Sequence, residues 1–218
     1  MSTEQIRQRD AMQRLVDFLN EIGMLRHTPR SGYAFLGSGR ESVAEHSHRT
    51  AVIGYALARK AGADPSRTML LCLFHDLPEA RTGDFNYVNR LYDTSREREA
   101  LQDAVAGTGL EDELLDVWDE HAARTTPESI LAHDADQLDL ILNLKRESDL
   151  GNRYADKWLA NAVQRLRTDI AKELAETILR TDHTDWWYLG PDANWWGKRG
   201  ECAQESSQSV LNYDNIKK

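Results

Sequence analysis

Apolar residues recur at helical spacing along almost the whole 218-residue chain, and no period-two alternation longer than four residues interrupts them. A chain with that pattern buries its apolar stripes helix against helix, so the predicted fold class is all-α, a helical bundle. Ile6, Met12, Leu15, Val16, Leu19 and Ile22 mark a first helix from about Glu4, stopped at Gly23. Residues 26–40 carry Gly, Ser and Pro and read as a loop. Ser42 followed by Glu45 has the form of a capping box, opening a helix to about Lys60. A very apolar helix is predicted from about Ser66 to Leu77, ended or bent by Pro78, with a second loop over 79–92. Further helices are predicted over 93–106, 110–122 and 126–147, and one long helix over 155–181 on Trp158, Leu159, Val163, Leu166, Ile170, Leu174 and Ile178.

The length fits one domain, predicted as 1–180, followed by a Trp-rich extension over 181–218. That extension holds Trp186, Trp187, Trp195 and Trp196, then turns polar from Lys198, with a last dozen residues expected to be loose. A net charge of -9, with its basic residues scattered among acids, argues against long DNA or RNA as a partner. It leaves room for a small phosphorylated substrate, whose charge a metal and one or two arginines neutralise locally. No apolar run is long enough to span a bilayer, and the polar start MSTEQIRQRD lacks the apolar core of a signal peptide. The two cysteines, Cys72 and Cys202, make a disulfide framework improbable, and a cytoplasmic setting is expected.

The chemistry concentrates in a few positions. His75 and Asp76 are adjacent inside MLLCLFHDLPE, a segment apolar enough to predict burial. Burying a carboxylate there is costly unless a positive charge meets it, and a divalent cation is the natural partner. Imidazole with carboxylate suits zinc, manganese, iron or cobalt. His46 shares a helical face with Val43, Thr50, Ile53 and Leu57, which turns its imidazole inward; His48, two residues on, points away. The fourth ligand is expected from another helix, and Asp136 in HDADQLDLILNLK is chosen, with Asp134 the competing position. A His-Asp dipeptide alone carries little weight, since His133–Asp134 is a second one; the combination of His46, His75, Asp76 and a downstream aspartate carries the reading.

Glu79 lies three positions after Asp76, on the same face if the turn continues past Pro78, where a general acid or base belongs. Asp84 follows in the loop. Arg26 and Arg30 flank Pro29, and either could grip a phosphate bidentately. The glycines of SGYAFLGSGR match no nucleotide-binding fingerprint, and no strand precedes them.

ESVAEHSHRTAVIGYALA, LCLFHDLPEARTGD and HDADQLD, with IGMLRHTPRSGY before them, resemble the HD-domain hydrolases of the 5'-deoxynucleotidase type over the chain to about residue 170. The resemblance implies a helical bundle around one divalent metal ion (Mn, Co, Zn, Fe or Mg) and hydrolysis of deoxyribonucleoside 5'-monophosphates. It implies His46, His75, Asp76 and Asp136 as metal ligands and favours Asp136 over Asp134. It implies Glu79 and Asp84 as the carboxylates that handle protons, Arg30 as the phosphate-gripping arginine, and a homodimer. His121 falls where some relatives carry a histidine that is not a ligand. The Trp-rich extension has no counterpart in the resemblance. The competing expectations are an HD phosphodiesterase or triphosphohydrolase, an iron-dependent HD oxygenase, which needs more histidines than His121 and His133 offer, and a non-catalytic helical binding module.

Overall fold

The computed structural model describes residues 10–187, and the chain divides after Arg180 into two units. The first unit is helical, with eleven α-helices among the described residues. They are α1 Ala11–Ile22, α2 Tyr33–Leu36, α3 Val43–Ala61, α4 Pro65–Phe74, α5 Glu79–Thr82, α6 Asn89–Tyr92, α7 Glu97–Val105, α8 Glu111–Ala123, α9 Pro127–Asp149, α10 Arg153–Val163 and α11 Asp169–Arg180. No strand occurs among the described residues; one isolated bridge joins Pro29 to Ser42. The all-α expectation is borne out.

Caps set the main boundaries. Asp10 and Gln13 form a capping box that starts α1 at Ala11, later than the periodicity suggested; the residues before Asp10 lie outside the described ones. The predicted Ser42–Glu45 box opens α3, and Gly62, at φ 75°, closes it in the left-handed conformation that glycine adopts without strain. Asp64 caps α4 with Pro65 in its first turn, and Thr126 with Ser129 and Pro127 does the same for α9.

Three helices make the core that carries the site: α9 packs against both α3 and α4, which pack against each other. Their inward residues include Leu57, Leu71, Leu131, Leu138, Ile141 and Leu144. Each such side chain contributes about 1.5–3 kcal/mol by leaving water. At the α3–α4 crossing a Cβ on Gly54 would fall 2.4 Å from Cys72 Sγ, so only glycine lets these helices approach so closely. A second cluster of Phe18, Leu25, Val43, Leu77, Leu101, Val105 and Leu114 joins α1, α7 and α8 to the start of α3.

Three expectations are corrected. The apolar helix ends at Phe74, before His75–Asp76; Pro78 has no N–H to bond Phe74 O, and the chain continues in three-residue turns such as Leu77 N–H to Phe74 O (3.3 Å) into α5. The two predicted loops contain the short helices α2, α5 and α6, too brief for periodicity to reveal. The long helix over 155–181 is two helices, α10 and α11, broken between Val163 and Asp169. The backbone N–H groups of Arg167 and Thr168 turn to donate to the buried Asp134 carboxylate (2.9 and 2.8 Å) instead of continuing a helix.

In the second unit, residues 181–187 are described. Thr184 donates its N–H and hydroxyl to Asp182 (2.8 and 2.6 Å), and Trp186 is exposed. Trp195, Trp196 and the polar tail lie outside the described residues.

Candidate metal centre

His46 is wholly buried on α3, and its Nδ1 lies 2.7 Å from Asp139 Oδ2 on α9. Asp139 is itself gripped by Arg49, whose Nη2 also reaches Glu41 at 3.0 Å; Asn143 holds Glu41 at 2.9 Å. Nδ1 therefore donates to Asp139, and Nε2 faces the interior. His75 repeats the arrangement in the turn after α4: its Nδ1 donates to Cys72 O at 2.7 Å, since a carbonyl can only accept.

Both Nε2 atoms thus aim at carboxylates. His75 Nε2 lies 3.1 Å from Asp76 Oδ2, and His46 Nε2 lies 3.6 Å from Asp76 Oδ2 and 3.3 Å from Asp136 Oδ1. His46 Nε2 has no hydrogen bond of acceptable geometry despite those distances. One donor atom each from His46, His75 and Asp136 lies within 4.8 Å of the other two. Asp76 Oδ2 sits at the edge of that set, also accepting from Arg30 Nη1 at 3.3 Å.

The electrostatics follow from the crowding. Burial and the Arg30 charge pull the His46 imidazolium down, but Asp136 and Asp139 outweigh them and push it up to about 10. Burial also works against the His75 imidazolium, and Asp76 overrides it, raising that group too. Burial works to raise Asp76, yet His75, Arg30 and His46 hold it below its ordinary value; Asp136 is held well below, chiefly by His46. Asp76, Asp84, Asp136 and Asp139 face Arg30 and Arg49 together with His46 and His75, whose imidazolium forms these carboxylates favour. Two imidazole nitrogens beside two buried carboxylates fit a divalent cation, which would take the place of the protons that the carboxylates favour on the rings.

Arg30 is delivered by a strap pinned to the start of α3. Arg30 N–H donates to Glu41 O, and Val43 N–H donates to Thr28 O, each at 2.9 Å. Its guanidinium also approaches Asp84 and Asp136, each at 3.9 Å. Arg26, its rival in the sequence, is exposed and bonds His27 instead. Asp84 accepts from Ser31 N–H (2.6 Å) and Ser31 Oγ (3.0 Å), so it ties the strap to the segment after α5. Glu79 does continue past Pro78 onto the site's side. It is 4% exposed, its Oε2 lacks a partner, and burial with the Asp76 and Asp84 charges pushes it up to about 9.

These groups line one end of a cavity of about 400 Å³ that opens to the surface. Asp134 does not reach it: buried on α9, it accepts from Arg167 N–H, Thr168 N–H and Thr168 Oγ. His48 is exposed. His121 does come to the cavity, its ring 4.8 Å from that of His75; burial and the His75 charge lower it to about 3. Asp139, Arg49 and Glu41 also belong to the site, beyond the residues expected from the sequence. Asp139 was findable, since it follows Asp136 by three positions and so shares its helical face.

Residues 22–178 match the HD domain family. The chain belongs to that family. The resemblance to HD-domain hydrolases of the 5'-deoxynucleotidase type is borne out among curated relatives. The chain is 29% identical to the 5'-deoxynucleotidase HDDC2 of Bos taurus over 145 residues, 64% of this chain and 70% of the relative. It is 28% identical to the Homo sapiens protein of the same name over 145 residues, 64% of this chain and 71% of the relative. Among solved structures it is similar to a conserved hypothetical protein from Pyrococcus furiosus, with a TM-score of 0.64 and 26% identity over 76% of this chain and 99% of the other.

Proposed function

We propose that the chain hydrolyses (deoxy)nucleoside 5'-monophosphates to nucleoside and phosphate, with one divalent cation held by His46, His75, Asp76 and Asp136. The observation that carries this is the pair of buried imidazoles whose Nδ1 protons are committed to Asp139 and Cys72 O. That commitment leaves both Nε2 atoms facing two carboxylates and one arginine at the end of a nucleotide-sized cavity, where a cation would displace any proton they carry. The likeness to proteins named 5'-deoxynucleotidases supports the substrate class.

When bound, the cation polarises a phosphate oxygen and acidifies water, worth several kcal/mol of transition-state stabilisation. The protein's own groups do the rest. Arg30 binds the phosphate and neutralises charge on its oxygens. Glu79, protonated at neutral pH, holds the proton that a departing 5'-oxygen needs. Asp84 fixes the Arg30 strap through Ser31 and is the second carboxylate available to accept a proton. Asp139 keeps His46 in the tautomer that presents Nε2. Zinc, manganese, iron and cobalt suit two imidazoles with two carboxylates better than magnesium does.

The reading extends to a cytoplasmic homodimer. No helix among the described residues is long and apolar enough to cross a membrane, and Met12, Val16 and Leu19 form an exposed apolar stripe on α1. Phosphate release from a panel of nucleoside mono-, tri- and cyclic phosphates, with each metal in turn, tests the activity. Release from deoxynucleoside monophosphates is expected; release only from the triphosphates or cyclic nucleotides would replace the reading with its phosphodiesterase or triphosphohydrolase rival.

A further inference from the structure

The end of the cavity away from Asp76 and Asp136 is built differently. Its wall is Trp158 of α10, with Tyr87 standing edge-on to the indole at a centroid distance of 6.1 Å and Phe35 tilted against it at 6.3 Å. The Arg165 guanidinium lies over the Tyr87 ring, 5.1 Å from its centroid. A second recess of about 570 Å³ continues outward from this wall, sharing Tyr87, Leu140, Trp158 and Arg165 with the first and adding the amides of Asn161 and Gln164. No carboxylate lines this recess, whereas carboxylates crowd the other end of the cavity.

The two ends are physically connected. Gln137 donates to Asp136 Oδ2 at 2.8 Å and accepts from Arg165 Nη1 at 3.4 Å, so one amide bridges the metal centre to the arginine over Tyr87. The indole edge also rests over Gly32, two residues from Arg30; a Cβ there would meet Trp158 Cζ3 at 3.4 Å. The strap that delivers Arg30 therefore also seats the indole.

We propose that Trp158, Tyr87 and Arg165 form the nucleobase subsite: a flat, uncharged aromatic ring stacks among them while the phosphate lies at Arg30. The inference rests on the nucleotide reading above and names what decides base preference within it. Aromatic faces and a guanidinium plane are what a purine or pyrimidine face recognises, and such stacking tolerates different bases. Asn161 donates to Lys157 O at 2.9 Å, which leaves its Oδ1 to accept from an exocyclic amino group at the base edge. Because stacking grows with ring area, purine monophosphates have the lower KM, by a few-fold.

The test compares deoxyadenosine monophosphate with 2-deoxyribose 5-phosphate, which carries the phosphate and sugar without a base. In the metal-loaded full chain, Trp158→Ala is expected to raise KM for the nucleotide on the order of tenfold or more, with kcat changed less than twofold. For the base-free substrate the same variant stays within about twofold, and Trp158→Phe restores most of the loss. Tyr87→Ala, at a half-exposed loop position, gives the same pattern more weakly and guards against a Trp158 variant that fails to fold. Equal losses on both substrates, or no loss on the nucleotide, overturn the subsite.

Calorimetric titration of the metal-free protein with 2'-deoxyadenosine separates the two ideas. Binding that Trp158→Ala and Tyr87→Ala each weaken, and that Trp158→Phe largely keeps, in a protein that releases no phosphate from any monophosphate, keeps the subsite and sinks the hydrolytic reading. Normal phosphate release with no response to Trp158 or Tyr87 does the reverse.

Discussion

The chain contains the dipeptide His-Asp twice, at His75–Asp76 and His133–Asp134, and the two do opposite work. Asp76 faces His75, His46 and Arg30 across a cavity, in a cluster of ionisable groups. Asp134 is less exposed to solvent, yet it is satisfied: two backbone N–H groups and a hydroxyl fill its acceptor sites, and His133 Nδ1 lies 3.2 Å away. One carboxylate meets other ionisable side chains at a cavity, and the other ends a helix. Depth of burial does not separate a functional carboxylate from a structural one; what separates them is whether protein donors already meet its lone pairs.

The largest effect that could break this comparison is at Asp76. Asp76→Ala is expected to remove the bound metal and lower turnover by at least about a thousandfold, the equivalent of several kcal/mol. Its folded structure should survive, since a buried carboxylate crowd loses a member. Metal analysis beside phosphate-release kinetics reads this out; full activity in the variant would end the assignment.

Asp134→Ala is the mirror experiment. It strands the Arg167 and Thr168 N–H groups and is expected to cost about 3 kcal/mol of stability, a drop of several degrees in Tm. Metal content and kcat should remain near those of the parent at a temperature where both are folded. A loss of metal without a loss of stability would exchange the roles of the two aspartates.

Asp139→Asn tests the layer behind His46. Asparagine can present an N–H to Nδ1, which pushes the imidazole toward the wrong tautomer, and a 10- to 100-fold loss of metal affinity is expected. Competition with a metal-binding dye measures it.

The smallest effect concerns pH and Glu79. Its folded value of about 9 lies above the ordinary 4.5, so the stability it contributes is whole below about pH 4.5 and is lost as pH rises toward 9. In chelator-treated protein, Glu79→Gln should therefore flatten the fall in Tm between pH 5.5 and 8.5 and be the more stable form at the upper end. Parallel curves for the two proteins would show that Glu79 is not the buried neutral acid described above.

Much of this was legible in the residues. The Ser42–Glu45 box, the inward face of His46 and the apolar run before His75 are local patterns with local causes, and they pointed to the helices and to most of the candidate site. Glu79 was reached by counting one turn, and the turn continues past Pro78 because proline fits the start of α5. The break at residues 164–168 was invisible for the opposite reason. Its apolar spacing is that of one helix, and only Asp134, more than thirty positions earlier, supplies the acceptors that end it.

The sequence by itself determined that the chain is helical, that it belongs with the HD-domain hydrolases and that His46, His75 and Asp76 are chemically exceptional, because periodicity, capping and motif spacing are properties of neighbouring residues. Only the tertiary structure put Asp136 and Arg30 at the cavity, turned Asp134 and Arg26 to other partners, and brought Trp158 and Tyr87 to the same cavity. Those outcomes depend on which groups from α3, α9, α10 and the strap meet across space, where a carboxylate's role is set by the donors facing it.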